Sequence, residues 1–319
     1  MADHSEIARA TAAGAVLMIC GPTAAGKSGL ALALAERWGG VIINADSMQL
    51  YSDLRILTAR PDDAEMARAP HRLYGVMDGA ERASVAVWLV MAAEAVAAAR
   101  QDGALPIVVG GTGLYFHAAI HGIAPIPDVP PEIHAECERQ LAARGGATFR
   151  AELAGLDPVT ASRLHDGDSQ RLVRAMGVVL ATGRPLSVWQ ADPHQGALGG
   201  VPCRIAMMPP RDGLYAAIDG RFEAMMMQGA EAEVAALASR GLDPSLPVMK
   251  AIGVREILAM LAGDMTRQKA IETASRDSRR YAKRQMTWIR NNFNSQIEFN
   301  TQETERNIRG IFAILSKTG

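Results

Sequence analysis

Cysteine is scarce in this chain. Its 319 residues hold only Cys20, Cys137 and Cys203, spaced too widely for a metal-ligand cluster or a disulfide pattern. That argues against a disulfide-stapled scaffold and fits a reducing, cytoplasmic compartment. Net charge is nearly absent as well: 33 Lys and Arg against 34 Asp and Glu leave −1. The chain as a whole is therefore not a polybasic nucleic-acid binder, though a local basic face stays open. Long apolar runs are also missing. The run at 15–20 is too short to span a bilayer, and the one at 84–99 carries Glu94 and reads as a helix face. No membrane partner is expected. The opening stretch "MADHSEIARATAAG" holds acids and lacks a signal-peptide layout.

What is present begins with an alternation. "AVLMIC" (15–20) reads as a buried strand, followed by a glycine-bearing loop and an Ala/Leu-rich helix that Gly39-Gly40 ends. "VIINAD" (41–46) is a second strand terminating on an acid, "HRLYGVM" (71–77) a candidate third, and 84–100 a helix. "LPIVVGGTGLY" (105–115) gives another strand, a Gly-Gly turn and a helix start. Strand and helix in turn mean a parallel α/β sheet. The proline-rich "GIAPIPDVPPE" breaks the pattern near 122, and 131–190 reads as helix throughout. Strand character returns at "VPCRIAMMPP" (201–210), and helices follow to about 292. With G-x-x-x-x-G-K-[ST] matched at 21–28 between its first strand and helix, the expected fold class is α/β: a P-loop NTPase-like parallel sheet core flanked by helices, with a helical insertion domain. Residues 1–121 would be the first part of the core, 122–200 the insertion, and 201–319 the second part with basic helices near its end.

Gly21-Pro22-Thr23-Ala24-Ala25-Gly26-Lys27-Ser28 matches G-x-x-x-x-G-K-[ST] in full, after a strand and before a helix. Glycines let the backbone approach, and its N–H groups can cradle phosphate oxygens at the helix N-terminus. Lys27 would neutralise charge, and Ser28 can ligate Mg²⁺. Asp46, at the carboxyl end of the second strand, faces the pocket where open parallel sheets bind ligands and could accept a proton. Ser47 and Gln49 would extend that rim. A Walker-type ATPase usually closes an apolar strand with a metal-holding Asp. Here "PIVV" runs into Gly110-Gly111 and Thr112 instead, so ATP hydrolysis loses weight.

Two basic segments point elsewhere. In "DSQRLVRAM" (168–176), Arg171 and Arg174 share a helix face beside Gln170. "RRYAKRQMTWIR" (279–290) carries Arg279, Arg280, Lys283, Arg284 and Arg290 without one acid. A near-neutral protein that concentrates cations this way suits a polyanion such as nucleic acid. A solvated helix face remains the plain alternative for each segment. "KAIGVRE" (250–256) adds Lys250 and Arg255.

In order, "GPTAAGKS", "INADSMQLY", "TARP", "VGGTGLYF", "DSQRLVRAMGVVLATGRPLS", "KAIGVRE" and "RRYAKRQMTWIR" resemble the signature blocks of the bacterial tRNA dimethylallyltransferases, the tRNA isopentenyltransferases. The resemblance runs from about 15 to 292. It implies transfer of the dimethylallyl group of dimethylallyl diphosphate to N6 of the adenosine 3′-adjacent to the anticodon. It also implies that Gly21 to Ser28 bind the diphosphate with Mg²⁺, Ser28 as a metal ligand, and that Thr23, Lys27 and Ser28 act in catalysis beside Asp46 as base. Asp46, Ser47, Met48 and Gln49 would contact the tRNA anticodon stem-loop. So would Gln170, Arg171, Leu172, Val173, Arg174, Lys250, Arg255, Lys283, Arg284, Gln285, Trp288 and Arg290. Thr112 would stand at the channel through which the flipped base enters. A monomer is expected. A small-molecule P-loop kinase and an RNA-binding protein with a vestigial loop remain the rival readings; neither accounts for the loop, Asp46 and the basic helix together.

Overall fold

Apolar strands decide the centre of the fold. In the computed structural model, which describes residue 7, residues 9–300 and residues 304–315, strands β1 (Ala15–Cys20), β2 (Gly40–Asn44) and β4 (Leu105–Gly110) are buried along their whole length. A strand covered on both faces has no polar side to alternate with, so such strands read as continuous apolar runs. With β3 (His71–Arg72), β5 (Val201–Met207) and β6 (Ile297–Phe299) they form a wholly parallel sheet in the order β3-β2-β4-β1-β5-β6. Leu17 of β1 lies opposite Ile107 on one side and Cys203 on the other. The loop that leaves β1 therefore opens at the middle of the sheet's carboxyl edge.

Crossover helices cover the sheet. They are α1 (Lys27–Trp38), α2 (Asp63–Arg68), α3 (Val85–Gln101) and α4 (Gly113–His121). Each boundary has a local cause. Gly39, at φ 65°, ends α1; Ser84 accepts the Val87 N–H at the start of α3; Asp62 and Glu65 close a capping box on α2. Gly40 permits close packing, because a Cβ there would lie 2.6 Å from the Ile107 side chain.

The chain divides into two units. One comprises residues 1–120 with 196–319, the other His121–Gln195. The second holds α5 (Pro131–Arg144), α6 (Gly146–Leu156), α7 (Pro158–Arg163), α8 (Ser169–Thr182) and α9 (Leu186–Gln190) around Phe149, Leu153, Leu172, Val173 and Val178. Asp157, fully buried between α6 and α7, ties the unit together. Its carboxylate accepts bonds from the backbone and hydroxyl of both Thr160 and Ser187, at 2.7–3.0 Å. Burial alone would raise its pKa; the four donors outweigh burial and hold it below the usual range.

In the first unit, β5 leads into α10 (Arg211–Met227), α11 (Ala230–Ser239), α12 (Val254–Leu261) and the long α13 (Arg267–Asn292). β6 and α14 (Thr304–Leu315) then close the described chain.

Two expectations need correction. Only His71 and Arg72 of the 71–77 segment pair with β2, because Leu73 turns to φ 65° and leaves the ladder. β2 ends at Asn44, so Asp46 sits in the loop beyond the strand. Beyond 292, β6 adds the sixth strand, and Ile308 and Ile311 lie in the sheet's core.

Candidate active site

The phosphate loop is shaped by two left-handed residues, Ala24 at φ 62° and Gly26 at φ 83°. Positive φ at alternate positions is a feature of backbone anion nests. Gly21 has to lack a side chain, since a Cβ there would lie 2.8 Å from the Met207 carbonyl oxygen. The Lys27 ammonium donates to the Pro22 carbonyl at 2.6 Å, and the Ser28 residue is exposed at the first turn of α1. Residues 23–29 line a cavity of about 570 Å³ with Asp46, Gln49, Arg55, Ile56, residues 58–62, Tyr74 and the α10 residues Ala217, Arg221, Ala224, Met225 and Gln228.

Burial pulls the Lys27 pKa down to about 8, against the opposing pull of the Asp46 carboxylate. An anion selects the protonated form. Affinity for a phosphate-bearing ligand should therefore fall as pH rises through about 8, by up to ~10-fold per unit. In pyrophosphate titrations across that range, Lys27→Arg should lack this break, because a guanidinium stays charged. Superimposable profiles for the two proteins would remove Lys27 from the site.

Asp46 is braced from beneath. The buried Asn44 amide accepts the Asp46 N–H at 2.8 Å and donates to the carbonyls of Asp46 and Leu73 at 2.9 Å each, while Trp88 Nε1 donates to the Asn44 carbonyl at 2.8 Å. Asp46 Oδ1 then accepts the Met48 N–H at 3.0 Å, a short Asx turn that fixes the carboxylate's direction. Across the sheet's edge the Thr112 hydroxyl accepts the Ser47 N–H at 3.0 Å. Gly110 lets the two strand ends meet, since a Cβ there would lie 2.1 Å from the Ala45 carbonyl oxygen.

A second cavity, of about 320 Å³, opens beside the first. Its walls include Ser47, Met48, Lys250, Ile252, Ser278, Tyr281 and Arg284. Thr23, Asp46, Thr58, Arg221 and Met225 line both cavities. In that shared wall the Arg221 guanidinium donates to Thr23 Oγ1 at 2.9 Å. Burial lowers the Arg221 pKa and the Asp46 carboxylate raises it again, so the cation is held by the acid beside it. The arrangement presents anion-binding groups on one side, a braced carboxylate in the middle and a half-open, partly aromatic chamber on the other.

The predicted RNA contacts separate into groups. Lys283, Arg284 and Arg290 are exposed on α13 and make no ion pair among the described residues; Arg284 lies over Tyr281, 5.6 Å from the ring centroid. Lys250 and Arg255 are exposed as well, Arg255 beside the buried Glu256. The flanking arginines are not free: Arg279 pairs with Asp219, and Arg276 and Arg280 pair with Asp277. Gln49 turns to the 55–62 loop, donating to the carbonyls of Thr58 and Ala59. In the second unit Gln170 and Arg171 are exposed and Arg174 is half-buried.

Three residues expected at the RNA surface point inward instead. Leu172 and Val173 belong to the core of the second unit, where their apolar side chains are drawn from water. Gln285 is buried, with both ends of its amide bonded inside the protein. Trp288 is half-buried against Gly113.

Sequence reasoning missed Arg221, although Ala217, Arg221, Ala224, Met225 and Gln228 share a helix face on which one cation interrupts small and apolar residues. It also missed Glu233 of α11. That carboxylate accepts the successive N–H groups of Arg55, Ile56 and Leu57 and so holds the loop lining the larger cavity. Nothing local marks Glu233 in the sequence.

Comparison with known proteins agrees with this geometry. The model of the IPP transferase family matches residues 49–292. A tRNA dimethylallyltransferase of Rhodospirillum rubrum is 53% identical over 276 residues, covering 86% of this chain and 85% of its own. One from Rhodospirillum centenum is 50% identical over 294 residues, covering 92% and 94%. The crystal structure of the full-length tRNA isopentenylpyrophosphate transferase of Bacillus halodurans is 32% identical, with a TM-score of 0.66 over 95% of this chain and 98% of that one.

Proposed function

The chain belongs to the IPP transferase family, the tRNA dimethylallyltransferases, and from that premise we propose that the wall of Thr23, Asp46 and Arg221 is where its reaction takes place. The protein is a prenyltransferase of tRNA: it moves the dimethylallyl group of dimethylallyl diphosphate to N6 of the adenosine 3′-adjacent to the anticodon and releases diphosphate. The observation that carries the assignment of roles is that these three residues line both cavities. The larger, with the phosphate loop and Lys27, takes the diphosphate and its five-carbon chain. The smaller, with Tyr281 and Arg284, receives the adenine.

The chemistry follows from that placement. N6 of adenine cannot reach an allylic carbon while stacked in the anticodon loop, so the base has to leave the stack at a cost of a few kcal/mol. Phosphate contacts to Lys283, Arg284, Arg290 and Lys250 offset that cost. The N6 lone pair attacks the allylic carbon. The carbon–oxygen bond breaks and its electrons leave with the diphosphate. Asp46 takes the proton released from N6. Lys27, Arg221 and the loop N–H groups stabilise the charge where it develops.

A divalent cation fits the loop. No group of three or more His, Cys, Asp or Glu that could hold a metal occurs among the described residues. Mg²⁺ is commonly held by one or two protein oxygens together with substrate phosphates and water. Ser28 is the residue that would hold it, and when bound it would neutralise charge on the leaving diphosphate.

Incubating the protein with Mg²⁺, dimethylallyl diphosphate and unmodified tRNA should add the mass of one dimethylallyl group to the tRNA. ATP-dependent phosphorylation of a small acceptor, with no change in the tRNA, would favour a kinase instead. A paired change, Lys283→Gln with Arg284→Gln, should weaken tRNA binding and flatten the slope of log affinity against log salt by about 1–2. An unchanged slope would return α13 to an ordinary solvated face.

A further inference from the structure

The buried side of α13 carries Tyr281, Gln285 and Trp288, at the i, i+4 and i+7 spacing of one helix face. Gln285 is only 6% exposed. Its Oε1 accepts the Thr23 N–H at 2.9 Å and its Nε2 donates to the Gly111 carbonyl at 2.8 Å. The turn it meets is bare of side chains where it has to be. A Cβ on Gly111 would lie 2.1 Å from Gln285 Nε2, and one on Gly113 would lie 2.3 Å from the Trp288 ring. Between them stands Thr112, whose hydroxyl accepts the Ser47 N–H at 3.0 Å. The glycine turn after β4 is thus a socket for one face of α13, and Gln285 extends from that socket to the phosphate loop.

We propose that Gln285 is a positioning residue for the diphosphate site: by holding the Thr23 backbone it sets the Thr23 hydroxyl against Arg221 in the wall shared by the two cavities. The inference rests on the reading of the loop as the diphosphate site. Gln285 touches neither substrate. It acts through Thr23, whose N–H would otherwise be free to turn, and through Gly111, which anchors the far end of the amide. One helix then does two jobs with two faces. Lys283, Arg284 and Arg290 on its exposed side meet RNA, while Gln285 on its buried side keeps the loop in the conformation that receives diphosphate. Nearby arginines and lysines concern the tRNA; the glutamine among them concerns the other substrate.

The test uses the full chain and Gln285→Met, which keeps the side chain's length and volume but removes both hydrogen bonds. Calorimetry with pyrophosphate and Mg²⁺ reads the loop, and binding of an unmodified anticodon stem-loop RNA reads the exposed face. Pyrophosphate affinity should fall by ~10-fold, the scale of a lost bond that leaves buried partners unpaired. KM for dimethylallyl diphosphate should rise in step, while RNA affinity and KM for tRNA stay within about 2-fold of wild type, within the spread for a site away from the contact. Gly111→Ala is the second variant, since its methyl displaces the amide while leaving Gln285 in place. It should reproduce the same split, and the double variant should be no worse than either single one. Unchanged pyrophosphate affinity in either variant would overturn the proposal, as would a loss confined to RNA binding. A wild-type protein that binds no pyrophosphate would overturn the reading of the loop itself, a different outcome from a wild type that binds and variants that bind equally well.

Discussion

Asp46→Asn lowers turnover of tRNA by ~10²–10⁴-fold while tRNA affinity stays close to wild type; that is the largest effect expected of any single change in the site. The carboxylate does two things in the structure. Its Oδ1 accepts the Met48 N–H and shapes the turn, and its position in the shared wall places it beside both cavities. Asparagine keeps an acceptor for Met48 and loses the base. Asp46→Ala loses both. If the base matters, the two variants should be similarly slow. If only the turn matters, Asp46→Asn should be nearly as active as wild type, and Asp46 would then leave the mechanism. Single-turnover measurement with saturating dimethylallyl diphosphate separates the chemical step from release.

Arg221→Ala carries the second-largest expectation, a fall in kcat/KM of ~10²–10³-fold, the range for removing one preorganised group that stabilises developing charge. The side chain is half-buried, and Asp46 opposes the depression of its pKa that burial causes. A cation is costly to bury unless something nearby is anionic. In the free protein that something is Asp46; in the reaction the leaving diphosphate adds to it. Most of the loss should appear in kcat, because the interaction strengthens as charge develops on the leaving oxygen. Arg221→Lys should recover only part of it, since an ammonium keeps the charge but not the planar fork that also reaches the Thr23 hydroxyl. A change of less than about 3-fold for Arg221→Ala would leave that group outside the range expected for charge stabilisation.

Much of this site is written locally, and the rest is not. The phosphate loop is contiguous, its strand and helix flank it, and the geometry follows from a few φ angles, so "GPTAAGKS" announces it. Asp46 is legible because a strand points at it, even though the strand stops at Asn44. Gly110 and Gly111 are legible as an absence: the acid a Walker-type ATPase needs is not there. Arg221 is different. It reaches Thr23 across 198 residues of sequence, and nothing in a lone arginine on a mixed helix reports that distance. Glu233 is harder still, because it binds backbone N–H groups that any residues at 55–57 would offer. Gln285 shows the limit of reading by neighbourhood. Set among Lys283, Arg284 and Arg290 it looks like part of an RNA surface, yet a helix turns about 100° per residue and carries it to the opposite face. For the same reason Leu172 and Val173, between Gln170 and Arg174, are core. At β3 the apolar character of the 71–77 segment suggested a longer strand; backbone dihedrals at Leu73 and Gly75 ended it.

The loop holds a leaving group. A phosphate loop of this form more often serves phosphoryl transfer, in which a bond to phosphorus breaks. Here the bond between carbon and the bridging oxygen should break. Dimethylallyl diphosphate labelled with heavy oxygen at that bridging position distinguishes the two by mass. The label should leave entirely with the released diphosphate while the tRNA gains an unlabelled dimethylallyl group on adenine N6. Label retained in dimethylallyl alcohol, or phosphate appearing on the tRNA, would contradict it.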